Sequence, residues 1–121
     1  MFAPSQSLRK GNAVTTELFN NSHIQINSGQ VSLVANPNLD IKPFSQVRVV
    51  ILLPNIQGLH LQFDVMIVQG GGILYTLDSI SLGPGGHFNR LYQVPGLSLN
   101  IRVQSLPGSP PGSFGVLVYA A

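Results

Sequence analysis

Apolar and polar residues alternate along much of this chain with the two-residue period of a β-strand. The longest alternation is GLHLQFDVMIV, and its two faces carry, respectively, Leu59, Leu61, Phe63, Val65 and Ile67, and His60, Gln62, Asp64, Met66 and Val68. The segment LSLNIRVQSL alternates in the same way, with Leu97, Leu99, Ile101 and Val103 inward. No segment of helical length repeats apolar residues at the i, i+3, i+4 spacing, so we expect no significant helix.

Clusters of Asn, Pro and Gly interrupt the alternation at short intervals and delimit about eight to nine strands. This spacing is typical of an all-β, antiparallel β-sandwich or barrel, and we assign residues 13–121 to one such domain. Residues 1–12 show no period and are predicted to form an N-terminal arm. The arm is either disordered or docked on a neighbouring subunit, and its apolar residues Phe2, Pro4 and Leu8 favour docking.

Three consecutive glycines, Gly70, Gly71 and Gly72, raise the question of a phosphate-binding loop. Such loops need glycines at set spacing between a strand and a helix, whose N-terminus meets the anion. Here the segment ILYTL follows, which has the pattern of another strand, and Tyr75 stands where GxGxxG needs its third glycine. We therefore interpret the glycines as the turn of a β-hairpin.

Charged residues are scarce in this sequence. Only 8% of the residues are Asp, Glu, Lys or Arg, against about 25% in typical domains, and the net charge is +2. A surface with so little charge favours contact between subunits, and the six dispersed Lys and Arg residues argue against nucleic-acid binding. There is no cysteine, no apolar run long enough to span a membrane, and no recognisable secretory signal in MFAPSQSLRKGN.

The candidate chemistry is weak, and we expect no catalytic residues and no cofactor. Asp64 follows His60 on the same strand face, and Asp64 and Asp78 flank the triple glycine symmetrically. Two facing carboxylates would need a cation between them, so His60, Asp64 and Asp78 are candidate metal ligands. The alternatives are that His60 belongs to an outward polar row, and that the carboxylates are out of register or paired with Arg48, Arg90 or Arg102.

The closing segment GSFGVLVYAA resembles the last strand of the tumour necrosis factor and complement globular-head superfamily. The match in kind consists of Phe114, Gly115, Val116, Leu117, Val118 and Tyr119. The segment LDSISLGPGGHFNRLYQVPGLSLNI is similar to a pattern in small bacterial β-sandwich proteins. The resemblance implies a jelly roll and a compact trimer, as in bacterial spore-surface and appendage subunits.

These observations predict a non-enzymatic structural subunit that self-assembles as a trimer or as a head-to-tail fibre through its arm. We expect it outside the cell or on a cell or spore surface. The predicted assembly residues are Phe2, Pro4 and Leu8 in the arm, and Val49, Ile51, Leu53, Val116, Val118 and Tyr119 in the domain. The alternative is a carbohydrate-binding jelly roll with glycan partners, although Trp, a usual sugar platform, is absent.

Overall fold

The computed structural model describes residues 15–121, and the predicted arm, residues 1–12, lies outside them. Nine strands follow one another: β1 (Thr16–Ile26), β2 (Val31–Leu33), β3 (Leu39–Asp40), β4 (Gln46–Leu52), β5 (Leu61–Gln69), β6 (Gly72–Leu82), β7 (His87–Gln93), β8 (Ser98–Ser105) and β9 (Gly112–Ala120). No helix occurs within residues 15–121, so the all-β fold class is confirmed.

Two antiparallel sheets form a sandwich. Sheet 1 has the order β1-β9-β4-β7, and sheet 2 has the order β2-β8-β5-β6, with β3 also paired to β8. If β2 and β3 count as one interrupted strand, each sheet has four strands and the connections follow the double Greek key of a jelly roll. The edge strands are β1 and β7 in sheet 1, and β6 and the β2/β3 pair in sheet 2.

The core lies between the sheets and contains the residues that the alternation placed inward. Leu61, Phe63, Val65 and Ile67 of β5 are fully buried, as are Leu99, Ile101 and Val103 of β8. Phe63 meets Phe114 of the opposite sheet edge to face, with ring centroids 5.3 Å apart at 72°. Such a pair stabilises the fold by about 0.5–1.5 kcal/mol beyond the contribution of its buried apolar area.

Strand β1 runs without a break through three consecutive polar residues, Asn20, Asn21 and Ser22. Its pairing with β9 shifts register twice, between Phe114 and Val116 and between Val118 and Tyr119. These irregularities accommodate the polar residues on an exposed edge strand, where bulges are common.

The triple glycine forms the hairpin turn between β5 and β6. Strand β5 ends at Gln69, β6 begins at Gly72, and the two residues between them make the turn. Gly70 has a φ of 60°, whereas Gly71 does not lie in the left-handed region. Positive φ at the first central position is the requirement of a type II′ hairpin turn, which glycine meets without steric strain.

Candidate functional site

Five of the predicted assembly residues lie inside the sandwich. Val49, Ile51, Leu53, Val116 and Val118 are at most 6% exposed and belong to the hydrophobic core. This corrects the prediction that they contact a neighbouring subunit. Residues of β4 do alternate between the core and the outer face. The sequence does not reveal this alternation, because the outward residues Val50 and Leu52 are apolar too.

Tyr119, the sixth predicted assembly residue in the domain, lies on the outer face of sheet 1. It pairs with Arg48 of β4 and with Glu17 of β1. Together with Leu91 and Thr15, Tyr119 and Arg48 line an open depression of about 250 Å³ at the point where the described chain begins. Tyr119 is therefore available to a partner, unlike the other five.

Asp64 is held by an arginine on the neighbouring strand. Its Oδ2 accepts hydrogen bonds from Nη2 (2.8 Å) and Nε (3.2 Å) of Arg102, and its Oδ1 accepts one from Oγ of Ser79 (2.7 Å). Partial burial by itself would raise the pKa of Asp64, but the hydrogen bonds from Ser79 and Arg102 outweigh it and hold the pKa below the ordinary 3.8. Asp64 is therefore an ionised, structurally engaged carboxylate.

Asp78 joins the two sheets at their open edge. Its Oδ2 accepts hydrogen bonds from Oη of Tyr92 (2.8 Å) and from Nη1 of Arg90 (2.5 Å), both on β7 of the opposite sheet. Burial of Tyr92 raises the pKa of its hydroxyl well above the ordinary 10.0, and the hydrogen bond to Asp78 raises it further. The neutral tyrosine and the arginine together satisfy this carboxylate.

The two carboxylates do not share a site. Asp64 pairs with Ser79, and Asp78 pairs with Val65, so the register is displaced by one residue and their side chains point to opposite faces of sheet 2. His60 directs Nδ1 to the carbonyl of Gly58 (3.1 Å) rather than to Asp64. Within residues 15–121, no three His, Cys, Asp or Glu side chains are grouped as metal ligands would be. The structure thus pairs both carboxylates with arginines instead of bringing them to a common cation.

An apolar groove on the outer face of sheet 2 was not foreseen from the sequence. Met66 and Val68 form its floor and are buried, although their even-numbered positions face away from the core. Leu33 of β2 and Ile73 of β6 form its rims and are 54% and 51% exposed. The groove encloses about 220 Å³ and is completed by the glycine turn, Asn38 and Arg102.

Asn100 of β8 fixes one wall of this groove and also escaped the sequence analysis. It is fully buried on the outer face because the loop of residues 34–38 folds over it. Its Nδ2 donates to the carbonyl of Ala35 (2.9 Å) and to Oδ1 of Asn38 (2.6 Å), and its Oδ1 accepts from the amide of Ala35 (3.1 Å). The only signal in the sequence was a polar residue within an otherwise well-patterned strand.

Exposed large apolar residues lie at both edges of sheet 2, and two of them, Leu33 and Ile73, line the groove. Ile73, Leu74 and Tyr75 follow one another on β6, and Val31 and Leu33 lie on β2 at the opposite edge of the sheet. Ile73 pairs with the outward Val68, whereas Tyr75 pairs with the core-facing Ile67, so β6 is uncovered on both of its faces here. This end of sheet 2 has the composition of an interaction surface.

Comparison with known proteins shows the fold. A chain in a solved structure of Bacillus endospore appendages, described as a novel family of disulfide-linked pili, is similar to this chain over 98% of both chains. The TM-score is 0.53 and the sequence identity is 8%, so the two chains share a fold. No family model matches the chain, and no curated protein matches it in sequence.

This comparison does not test the resemblance to the tumour necrosis factor and complement globular-head superfamily, which stays a prediction. The likeness in fold to an appendage subunit is shown. Within residues 15–121 there is also no helix of the length and apolarity needed to cross a membrane.

Proposed function

We propose that this protein is a non-enzymatic structural subunit that self-assembles into a surface appendage. The observation that carries the proposal is the shared fold with an endospore appendage chain, which extends over 98% of both chains rather than over a fragment. The arginine-paired carboxylates support it, because Asp64 and Asp78 have structural partners and no shared cleft.

The surface supports association between copies. Six Lys and Arg and four Asp and Glu residues are spread over 121 residues, so copies meet with little repulsion and little charge to desolvate. At the same time Leu52 and Leu91 on sheet 1, and Ile73, Leu74 and Tyr75 on sheet 2, are about half exposed. Burial of such side chains against another copy yields about 25 cal/mol per Å² of apolar area.

Association must use a different chemistry from that of the structural neighbour. That appendage is described as disulfide-linked, whereas this sequence has no cysteine with which to form a disulfide. Its copies would therefore be connected by noncovalent packing and hydrogen bonds. We assign the connection to the N-terminal arm, whose Phe2, Pro4 and Leu8 supply apolar anchors without a covalent bond.

Deletion of residues 1–12 tests this role. The full chain should form oligomers or fibres that are visible by negative-stain electron microscopy, and the truncated chain should not. Circular dichroism should give the same β spectrum for both proteins, because all nine described strands lie in the part retained. Undiminished assembly of the truncated chain would contradict the role of the arm.

The same images distinguish the two assemblies that we consider. Discrete particles of three copies would agree with the trimer implied by the tumour necrosis factor-like resemblance. Growing filaments would agree with a heterologous, head-to-tail contact, which does not close on itself. A monomer that binds immobilised glycans would instead favour the carbohydrate-binding alternative.

A further inference from the structure

We propose that the groove on the outer face of sheet 2 receives the apolar N-terminal arm of a second copy. This inference rests on the proposed self-assembly and specifies its contact. The groove is defined by its floor, Met66 and Val68, and by its rims, Leu33 and Ile73. The occupant is the segment of residues 1–8, MFAPSQSL.

The size of the groove suits side chains better than a small molecule. Its volume of about 220 Å³ is below the roughly 300–1,000 Å³ of pockets that enclose a drug-sized ligand. One wall is fixed, because Asn38 accepts a hydrogen bond from the buried Asn100 and donates one to the carbonyl of Gly70 (3.3 Å). A fixed apolar depression of this size can hold one or two anchoring side chains of a peptide.

The groove and the arm also match in charge. Arg102 is the charged residue of the groove lining, and Asp64 engages both its Nε and its Nη2. Residues 1–8 contain no Asp, Glu, Lys or Arg, and the basic pair Arg9 and Lys10 begins only after them. The side chains of this segment can therefore enter without leaving an unpaired side-chain charge in an apolar site.

The spacing of the arm's apolar residues fits an extended chain on a sheet surface. Phe2, Pro4 and Leu8 are separated by even numbers of residues, so an extended segment would present all three on one side. Phe2 and Pro4 would then lie about 7 Å apart, at roughly 3.4 Å per residue. That separation lets adjacent anchors occupy one groove.

The arm is long enough to reach a neighbour. The 13 residue-to-residue steps from Phe2 to Thr15 can span at most about 43–47 Å, at 3.3–3.6 Å per step. A domain of this size is only about 30 Å across. The arm of one copy is therefore long enough to cross its own domain and reach the groove of a second copy.

A complementation experiment with full-length chains tests the contact. One chain carries Phe2→Ser and Leu8→Ser, which alter the arm, and the other carries Leu33→Gln and Ile73→Gln, which alter the groove rims. Val31→Gln is the control, because Val31 is 54% exposed on the same sheet but does not line the groove. Circular dichroism and light scattering report the fold and the mass of each protein and of each mixture.

We expect each altered chain by itself to need at least about tenfold more protein to assemble than the wild type, and the control to assemble normally. Mixing the two altered chains should produce a one-to-one dimer, because only one intact arm and one intact groove meet. Normal assembly of the groove-altered chain would overturn the inference but leave the proposed function standing. If both altered chains fail to assemble and their mixture forms no dimers, the contact between copies is overturned. The arm would then bind the groove of its own domain. A wild-type chain that stays monomeric would overturn both proposals.

Discussion

Asp64 and Arg102 face each other across β5 and β8, with Nη2 of the arginine 2.8 Å from Oδ2 of the carboxylate. The strand register places the two residues opposite each other, and Ser79 completes the contact from β6 on the other side. Asp64, one of the three candidate metal ligands, thus joins three neighbouring strands. Because Arg102 lines the groove, its pairing with Asp64 also neutralises the charge at the groove.

Arg102→Met should destabilise the fold by about 1–2 kcal/mol, because Asp64 loses the hydrogen bonds of the Arg102 guanidinium. The hydrogen bond from Ser79 to Asp64 is retained in this variant. The lowered pKa of Asp64 gives stability that is present above about pH 3.8 and is lost as the pH falls through its folded-state pKa. The variant should therefore show a weaker loss of stability below pH 4 in urea titrations. Lys42→Met is the control, since Lys42 lies 3.9 Å from Asp40 and both are largely exposed. Equal effects of the two variants would contradict this interpretation.

Tyr92→Phe should lower stability at neutral pH by about 1–2 kcal/mol, because the hydroxyl donates to the charged Asp78 across the sheets. Since the folded state holds the tyrosine proton more tightly than the unfolded state does, the advantage of the wild type is fully present below pH 10.0 and declines above it. Urea unfolding of both proteins between pH 8 and 11 measures the difference. A difference that stays constant across this range would disprove the assigned role of Tyr92.

Asn100→Ala should cost about 2–4 kcal/mol, since it leaves the buried backbone groups of Ala35 without partners. Asn89→Ala is the control, because Asn89 is exposed and accepts a hydrogen bond from Arg48 at the surface. Its effect should stay within about 0.5 kcal/mol. Thermal unfolding compares the two variants, and a small effect at Asn100 would mean that the loop of residues 34–38 is held by other contacts.

The glycine turn permits a comparison of adjacent positions. Gly70→Ala should destabilise the protein by about 1–2 kcal/mol, because Gly70 has a φ of 60°, which Cβ makes unfavourable. Gly71→Ala should have little effect, since its φ is outside the left-handed region and no atom lies within 4 Å of the added Cβ. Denaturant midpoints of the two variants test this order, and the reverse order would exclude the type II′ assignment.

The core and the sheet class could be predicted from the sequence because a period of two assigns residues such as Phe63 and Ile101 to one side. The same rule could not decide Val49 and Ile51, because their outward neighbours are also apolar. It also gave no sign that Asn100, on the outer face of sheet 2, is covered by a loop distant in sequence.

The pairing of Asp64 with Asp78 failed for a further reason. Strand β6 has extra residues at Leu77 and Leu74 relative to β5, and the sequence gives no sign of these bulges. A count that takes all three glycines as the turn sets the two carboxylates opposite each other. In the structure the turn has only two residues, and this shorter turn and the two bulges together displace the carboxylates by one residue, which sends them to opposite faces. The groove depends on this same register and could not be foreseen either.

Self-assembly is the central claim, and the mass of the purified full chain in solution tests it most directly. Size-exclusion chromatography with light scattering, over a series of increasing concentrations, should show species of several times 12.9 kDa that grow with concentration. We expect this result from the exposed apolar residues and the scarce charge. A single species of 12.9 kDa at the highest concentration that the protein tolerates would contradict the account.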